Sequence, residues 1–288
     1  MIDLSLGFCY RQAFVPILPV SRDIELTGKT AIITGVTSGI GFEATKILIQ
    51  HKISRVILGV RDISQAAKIK DELSSLNGKC EMDLWELDYN SFESVVSFSK
   101  RAASLNRLDI VLLNAGVKPL EFRLSDSGHE TTLQVNHLST ALLSALLLPA
   151  LKATSHSIGC PSRLTIVSSE THYWVPFSER NSSNILARMD APETFEVPWR
   201  YNLSKLLEVF WARELASRTK SKEVIVNTVN PGLCWSQLHR EDSTTALWVF
   251  RKLFARPAVQ GAHALVHAVV VQDQDTHGGY LSEQTLWR

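Results

Sequence analysis

The sequence is short of cysteine and of excess charge. Only four cysteines occur in its 288 residues, they lie far apart, and no two form a CxxC pair. A disulfide framework and a zinc site are therefore not expected, and we predict a metal-free protein of the reducing cytoplasm. Thirty Lys and Arg against 29 Asp and Glu leave a formal net charge of +1. Such a balance gives no reason to expect a nucleic-acid or membrane-surface partner.

Apolar runs long enough to cross a membrane are also scarce. The first twenty residues carry Asp3 and Arg11, contain Pro16 and Pro19, and lack a positive leading region. These features argue against a signal peptide and a spanning helix, so we expect residues 1–25 to be an arm packed on the domain, or else a peripheral membrane contact. The run "ALLSALLLPAL" is too short to span a bilayer and ends around Pro149, and we predict a buried helix over residues 128–153.

Short β-branched runs alternate with longer amphipathic stretches from residue 30 onward. The apolar runs are "TAIIT", "RVILGV", "DIVLL", "RLTIVS" and "EVIVNTV". Continuous apolar runs are typical of strands buried on both faces, and alternation with helices gives βαβ units with right-handed crossovers. We predict an α/β fold, a doubly wound parallel sheet with helices on both faces, as one domain over residues 26–288. Residues 170–200 show no period and contain three prolines, which indicates a functional or disordered loop.

A glycine-rich turn joins the first predicted strand to the first predicted helix of this domain. "ITGVTSGIG" places Gly35, Gly39 and Gly41 in a G-x3-G-x-G spacing. Glycines there let the backbone approach a pyrophosphate, whose charge the free N–H groups of the helix N-terminus would bind. The alternative is a tight strand–helix turn without a ligand.

A phenol and an ammonium lie four positions apart in "RYNLSK", at Tyr201 and Lys205. Residues at i and i+4 share one face of a helix. Taken alone, the spacing fits an ordinary surface pair as well as a proton-transfer pair, so the rest of the chain decides between them.

Six motifs occur in one order along the chain: TGxxxGxG at 34–41, "NAG" at 114–116, "VN" at 135–136, "IVSS" at 166–169, YxxxK at 201–205 and "NPG" at 230–232. Together they resemble the short-chain dehydrogenase/reductase family over roughly residues 26–284. The pattern is most similar to retinol-dehydrogenase-like members and to reductases of fungal natural-product pathways. The resemblance implies a Rossmann-type fold, a nicotinamide cofactor and a secondary alcohol or carbonyl substrate.

The end of the second strand bears on which nicotinamide cofactor is used. NAD-preferring relatives usually carry a carboxylate there, and this chain has Val60 followed by Arg61. A guanidinium in place of a carboxylate favours a 2′-phosphate, so we predict NADP(H). The alternative is that Arg61 is a solvated charge paired with Asp62.

The family motifs assign the remaining cofactor contacts by position. Asp88 would contact the adenine and Asn114 would lie beside the cofactor, although each is equally a residue type that caps loops at strand ends. The predicted cofactor-binding residues are Gly35, Thr37, Ser38, Gly39, Ile40, Gly41, Arg61, Asp88, Asn114, Ala115, Gly116, Tyr201, Lys205, Pro231, Gly232 and Ser236.

The resemblance also implies the catalytic groups. Reduction of a ketone needs a proton donor at the carbonyl oxygen, and a free phenol has too high a pKa for efficient exchange at neutral pH. Tyr201 would be the general acid/base, and Lys205 would lower its pKa and hold the nicotinamide ribose. Ser169, in preference to Ser168, would hydrogen-bond the substrate oxygen. Asn136 would hold a water in the proton relay.

The chain departs from the family pattern in the segment before the tyrosine. Tyr201 follows Ser169 by 32 residues, where about a dozen is more usual, although retinol-dehydrogenase-like members lengthen this segment. Tyr173 is closer to Ser169 but has Phe177 four residues on, where the motif needs lysine. The candidate substrate contacts are Glu170, His172 and Trp235, of which His172 is more simply explained as a surface loop histidine. Residues 233–256 would form a substrate lid.

The sequence therefore predicts an NADP(H)-dependent oxidoreductase that interconverts a small apolar secondary alcohol and its ketone, or an aldehyde, in a biosynthetic pathway. A non-redox isomerase, dehydratase or cyclase on the same fold, and a non-catalytic NADP-binding protein, are the alternatives. The long apolar helices allow a homodimer.

Overall fold

Residues 2–287 are described by the computed structural model of the protein. The strands are β1 (Thr30–Thr34), β2 (Arg55–Val60), β3 (Glu81–Glu86), β4 (Ile110–Leu113), β5 (Ser162–Val167), β6 (Val224–Asn230), β7 (Tyr280–Ser282) and β8 (Thr285–Trp287). They form one sheet in the order β3-β2-β1-β4-β5-β6-β7-β8. All neighbouring pairs are parallel except β7 with β8. The predicted Rossmann-type α/β fold is confirmed.

Helices cover both faces of this sheet. They are α1 (Ile2–Phe14), α2 (Gly39–Gln50), α3 (Ile63–Ser74), α4 (Phe92–Ala102), α5 (Ser139–Ile158), α6 (Ile185–Met189), α7 (Val197–Ser217), α8 (Thr245–Phe254) and α9 (Ala258–Val266). Two π-helical segments, Leu133–Leu138 and His267–Val271, directly precede α5 and follow α9.

The two faces of the sheet have separate apolar cores. One core packs β1 and β2 against α2, α3 and α9, and the other packs the sheet against α4, α5 and α7. Because side chains alternate along a strand, Ile33 enters the first core and Ile32 the second. Burial on both faces explains why these strands are continuous apolar runs in the sequence.

The long apolar helix extends beyond residue 153, and its predicted end there was wrong. Pro149 lies inside α5, which continues to Ile158 and is capped by Gly159 at φ 72°. Pro149 is on the exposed side of the helix, where water can bind the carbonyl left without a partner. With the preceding π-helical segment, Leu133–Ile158 is long and apolar enough to span a membrane, and 44% of its apolar window is buried within the protein.

The N-terminal segment contains a helix as well as an extended arm. α1 ends at Phe14, before Pro16 and Pro19, so neither proline interrupts it. The arm that follows buries Ile17 and Val20 against the sheet domain. Met1 lies outside the described residues.

Residues 170–200, predicted to be irregular, form short turns around one small helix. Three 3₁₀ turns and α6 occur there before α7 begins at Val197. Met189 of α6 is buried against Leu133 and Leu203, and the buried Arg200 guanidinium lies 3.8 Å from the Glu130 carboxylate. The segment is thus packed onto the start of α7, the helix that carries Tyr201.

Candidate active site

The candidate site lies at the carboxyl ends of β1, β4, β5 and β6. β1 is flanked by β2 on one side and by β4 on the other, so the chain reverses its direction of travel across the sheet there. In open α/β sheets this switch point leaves a crevice in which ligands bind. The predicted motifs "TGxxxGxG", "NAG", "VSS" and "NPG" follow these four strands.

The glycine-rich turn has no room for side chains at Gly35 and Gly41. Gly35 and Gly39 adopt φ values of 66° and 61°, which favour glycine. A Cβ on Gly41 would lie 2.3 Å from the Gly35 carbonyl oxygen and 2.4 Å from Asn114 Nδ2. The turn therefore brings the N-terminus of α2 against the end of β1.

Asn114 links this turn by hydrogen bonds to the end of β4, the neighbour of β1 in the sheet. Its Nδ2 donates hydrogen bonds to the carbonyl oxygens of Gly35 at 2.9 Å and Thr34 at 3.2 Å. Its backbone N–H donates to the Thr34 hydroxyl at 3.1 Å. The side chain thus positions the glycine turn, and it also lines the cavity described below.

Ser169 and Tyr201 meet although 32 residues separate them. The Ser169 hydroxyl, just beyond β5, accepts hydrogen bonds from Thr171 and lines the same cavity as the Tyr201 phenol. Ser168 instead donates its hydroxyl to the Lys205 carbonyl oxygen at 2.9 Å, which makes it a satisfied strand-end group. The choice of Ser169 as the hydroxyl available to a ligand agrees with this geometry.

Lys205 is buried and held on two sides. Its ammonium donates to the Val167 carbonyl oxygen at 2.8 Å, pairs with the Glu208 carboxylate at 3.0 Å and lies 5.6 Å from the centroid of the Tyr201 ring. Gly116 leaves room in front of it, since a Cβ there would lie 3.7 Å from Lys205 Nζ.

The pKa of Tyr201 is raised, although Lys205 acts in the predicted direction. Burial is the largest effect and raises the phenol pKa, whereas the Lys205 charge lowers it. The Glu208 carboxylate raises it again, and hydrogen bonding with Ser169 lowers it. The phenol is therefore protonated at neutral pH, as a proton donor must be. Glu208 was not anticipated, although its position at i+3 from Lys205 was a signal.

Asn136 lies in the π-helical segment that precedes α5. Its Oδ1 accepts from the Val117 N–H at 2.8 Å, and its Nδ2 donates to the Val117 carbonyl at 3.0 Å and to the Ser204 hydroxyl at 2.9 Å. π-Helical turns often occur at functional sites. The side chain ties the end of β4 to α7, and its predicted part in a water relay stays a prediction.

A cavity of about 500 Å³ joins the glycine turn to Ser169, Tyr201 and Lys205, whereas Asn136 is not among the residues that line it. Fourteen of the predicted site residues line it: Gly35, Thr37, Ser38, Ile40, Asn114, Ala115, Gly116, Ser169, Glu170, Tyr201, Lys205, Pro231, Gly232 and Ser236. The cavity thus extends from the glycine turn to the phenol.

This cavity suits the nicotinamide dinucleotide that the motifs imply. Ser38 is the N-cap of α2, and within residues 2–287 its side chain makes no capping hydrogen bond. The first N–H groups of α2 are therefore available to a pyrophosphate, and the first turn carries no acidic side chain to repel one. Thr37 and Ser38 are exposed at the same end of the cavity.

Arg61 and Asp88 lie outside the large cavity. Arg61 lines a neighbouring cavity of about 150 Å³ together with Asn90, Arg240 and Gly116, and the last two also line the larger cavity. The carboxylate of Asp62 caps α3 by accepting from the Gln65 N–H at 3.1 Å. Asp88 accepts from the Asn90 backbone and side chain at 2.9 and 3.0 Å, which is the loop-capping role given as its alternative.

Two of the three candidate substrate residues lie away from the large cavity. His172 is buried, which contradicts its interpretation as a surface histidine, because the 3₁₀ turn Glu170–Trp174 packs its ring against Tyr173 and Tyr280. Trp235 is 39% exposed and stacks with Arg251. Glu170 lines the cavity and is buried against Arg11 of α1.

Several cavity residues were missed by sequence reasoning. Lys118 lies two residues after "NAG", with its ammonium 5.5 Å from the centroid of the Tyr201 ring. Burial lowers the pKa of Lys118, and the Asp242 charge raises it. Phe8 and Cys9 of α1 also line the cavity, and only the fold could bring them there.

Comparisons with known proteins show which family the chain is similar to. The family model described as short chain dehydrogenase matches residues 29–168. Short chain dehydrogenase sol3 of Alternaria solani is 51% identical over 282 residues, which make up 98% of this chain and 98% of that relative. Short chain dehydrogenase/reductase mfmJ of Annulohypoxylon moriforme is 39% identical over 263 residues, 89% of this chain and 76% of the relative.

Solved structures share the fold. The Pseudomonas aeruginosa RhlG/NADP active-site complex superposes with a TM-score of 0.68 at 23% identity, covering 91% of this chain and 97% of that one. A short-chain dehydrogenase from Sphingobium yanoikuyae in complex with NADPH gives a TM-score of 0.65 at 16% identity, covering 83% and 82%. With a 51% identical relative matched along nearly its whole length, the chain belongs to the short-chain dehydrogenase family.

Proposed function

We propose that the protein is an NADP(H)-dependent oxidoreductase that interconverts an apolar secondary alcohol and its ketone. The observation that carries this proposal is the single cavity shared by the glycine turn, the Ser169 hydroxyl, the Tyr201 phenol and the Lys205 ammonium. A cofactor held at the turn and a carbonyl held at the phenol would then meet in one enclosed space. The bound reduced cofactor supplies the hydride.

The side chains around the carbonyl divide the remaining work. Ser169 donates a hydrogen bond to the substrate oxygen and orients it. Tyr201 gives that oxygen its proton as negative charge develops, which is general acid catalysis. Lys205 keeps a positive charge beside the phenolate that remains, and Glu208 and the Val167 carbonyl hold the ammonium in place.

The substrate end of the cavity is largely apolar. Trp174, Leu233, Leu238, Leu247 and Phe250 all line it. Four of these residues, all except Trp174, belong to the predicted lid, residues 233–256, where α8 follows a 3₁₀ turn. Apolar lining with a few polar groups at one end favours an apolar carbonyl compound.

Turnover of ketones by NADPH tests the proposal directly. Purified protein is mixed with NADPH and a series of apolar ketones, and loss of absorbance at the nicotinamide band is followed. We expect turnover with at least one ketone, and NADPH binding detected by fluorescence. Binding without turnover of any ketone would favour the non-catalytic alternative over an oxidoreductase.

The pH dependence should follow the raised pKa of Tyr201. Ketone reduction needs the protonated phenol, so its rate should be level through neutral pH and be lost as pH rises through that pKa. Alcohol oxidation needs the phenolate and should increase over the same range. Because the Lys205 charge lowers the phenol pKa, Lys205→Met should move both transitions to higher pH.

Rates at saturating cofactor, measured across pH in both directions, check this expectation. The exposed Lys220 provides the control, since Lys220→Met removes one positive charge away from the site. Transitions at the same pH in both variants would contradict the assigned role of Lys205.

Arg61 should discriminate between the two nicotinamide cofactors. It faces the 150 Å³ cavity together with Arg240, and Asp62 is engaged at the N-cap of α3. A guanidinium–phosphate hydrogen bond contributes about 1.5–3 kcal/mol, so Arg61→Ala should raise the Kd of NADPH about tenfold or more. The Kd of NADH should stay within about twofold, because NADH has no 2′-phosphate for Arg61 to bind.

Fluorescence titration of both cofactors measures the two constants. Arg213→Ala, which removes an exposed arginine on α7, is the matched control. An equal loss of NADPH and NADH affinity in Arg61→Ala would show that Arg61 does not read the 2′-phosphate.

A further inference from the structure

The N-terminal helix α1 contributes side chains to the cavity that holds Ser169 and Tyr201. Phe8 and Cys9 line this cavity. Phe8 is 9% exposed, whereas Tyr10 and Phe14 of the same helix are 63% and 72% exposed. One face of α1 is therefore turned to the cavity and another to solvent.

An aromatic contact extends the cavity surface from Phe8 toward Ser169. The rings of Phe8 and Trp174 meet edge to face, with centroids 5.6 Å apart. Trp174 ends the 3₁₀ turn that begins directly after Ser169, and it lines the same cavity. Phe8 and Trp174 thus form one aromatic surface at the substrate end.

The Gln12 side chain forms two hydrogen bonds that hold α1 to the backbone of the loop after β6. Gln12 Nε2 donates to the Leu233 carbonyl oxygen at 2.7 Å, and the Leu233 N–H donates to Gln12 Oε1 at 3.1 Å. Gly232 makes this approach possible, because a Cβ there would lie 2.8 Å from Gln12 Oε1. The Gln12 amide thus both donates to and accepts from a loop that also lines the cavity.

Two arginines form further polar contacts between α1 and the rest of the domain. Arg11 forms an ion pair with Glu170, the residue that follows Ser169, and Glu170 is 4% exposed. The buried Arg256 guanidinium donates to the carbonyl oxygens of Arg11 at 2.7 Å and Val15 at 2.8 Å, at the C-terminus of α1. Breaking a buried pair leaves an uncompensated charge, so α1 is firmly held.

We propose that α1 is part of the substrate-binding site, with Phe8 and Cys9 determining which apolar carbonyl compounds fit beside Ser169 and Tyr201. This inference rests on the proposed oxidoreductase function. It assigns substrate selectivity to a segment outside the family's motifs. Differences in the N-terminal residues of otherwise similar enzymes would then change their substrate choice while leaving the chemistry intact.

Changing the size of the side chain at position 8 tests whether Phe8 determines which ketones fit. With 2-alkanones of graded length, Phe8→Ala should shift the ratio of kcat/KM for the longest to that for the shortest by about tenfold in favour of the longest. Phe8→Trp should shift the ratio the other way, which simple loosening of α1 would not do. Phe14→Ala on the exposed face is the control and should leave the ratio unchanged. Identical ratios in all three variants would overturn the inference.

Labelling of Cys9 gives a second measurement that does not need turnover. Cys80 and Cys234 are buried and Cys160 is exposed, so Cys160→Ser leaves Cys9 as the accessible thiol. N-ethylmaleimide should modify Cys9 in this protein, and saturating NADPH with the longest ketone should slow that reaction several-fold. The same treatment of Cys9→Ser in the Cys160→Ser background gives the unlabelled reference.

The two proposals can fail separately. If the wild-type protein reduces none of the ketones, the oxidoreductase proposal fails, and the labelling rate of Cys9 with and without NADPH still tests whether α1 lines the occupied cavity. If ketones are reduced but Phe8→Ala behaves as Phe14→Ala does, and ligands do not protect Cys9, the assignment of α1 fails alone.

Discussion

Tyr201→Phe should lower the rate of ketone reduction by about 10³-fold, within the range that general acid catalysis contributes. The substitution removes only the hydroxyl, the group that would protonate the substrate oxygen. Tyr201 is 8% exposed, and its ring packs beside Lys205, so phenylalanine preserves the packing. NADPH affinity should remain within about twofold, because the glycine turn is unchanged.

Tyr173→Phe is the matched control for this substitution. Tyr173 lies only four residues after Ser169 in sequence, but its ring packs against His172 and Tyr280 outside the cavity. In steady-state measurements, the rates of ketone reduction of the two variants should therefore differ by nearly the whole loss of about 10³-fold expected for Tyr201→Phe. Unchanged activity in Tyr201→Phe, with NADPH still consumed, would remove the phenol from the mechanism and favour another proton donor.

Gly41→Ala should both destabilise the protein and weaken NADPH binding. A Cβ at Gly41 would lie 2.3 Å from the Gly35 carbonyl oxygen, and this contact is with backbone, which cannot rotate away as a side chain can. Overpacking of a well-packed site costs about 1–3 kcal/mol. Relief would move α2 away from β1 and displace the N–H groups that face the cavity, so we expect the Kd of NADPH to rise at least about tenfold.

Gly78→Ala tests the same chemical change where space is available. Among the described residues, no heavy atom lies within 4 Å of a Cβ built at Gly78. The midpoint of urea unfolding should therefore change by the equivalent of less than about 0.5 kcal/mol, with normal NADPH affinity. Equal stability and affinity in the two variants would show that the turn does not need the close approach seen here.

Local patterns in the sequence predicted most of the fold, and the site residues named from the sequence include fourteen of the thirty that line the cavity. Five strands are continuous apolar runs because they are buried on both faces, and the glycine turn has a mechanical reason for its spacing. β7 and β8 were not predicted, because three residues each are too few to show a period. The long apolar helix continues to Ile158, past its predicted end at residue 153, and the exposed side of α5 tolerates Pro149.

The contacts that shape the substrate end could not be predicted locally. Arg11 and Glu170 are 159 residues apart, and neither carries a sequence signal for the other. The segment between Ser169 and Tyr201 returns the chain to the cavity only through packing on the start of α7. Glu208 was accessible to sequence reasoning through helix spacing, but its burial, which raises its pKa, was not.

Docking of α1 also relates the order of synthesis to the completion of the site. The Arg11 guanidinium lies 5.0 Å from the centroid of the Trp287 ring, and Leu18 exchanges hydrogen bonds with the Gln284 side chain at 2.9 and 2.8 Å. At about 5–20 residues per second, these partners leave the ribosome tens of seconds after α1 does. α1 is therefore made before the other elements of the fold, and its contacts with Trp287 and Gln284 form only after those residues have been synthesised.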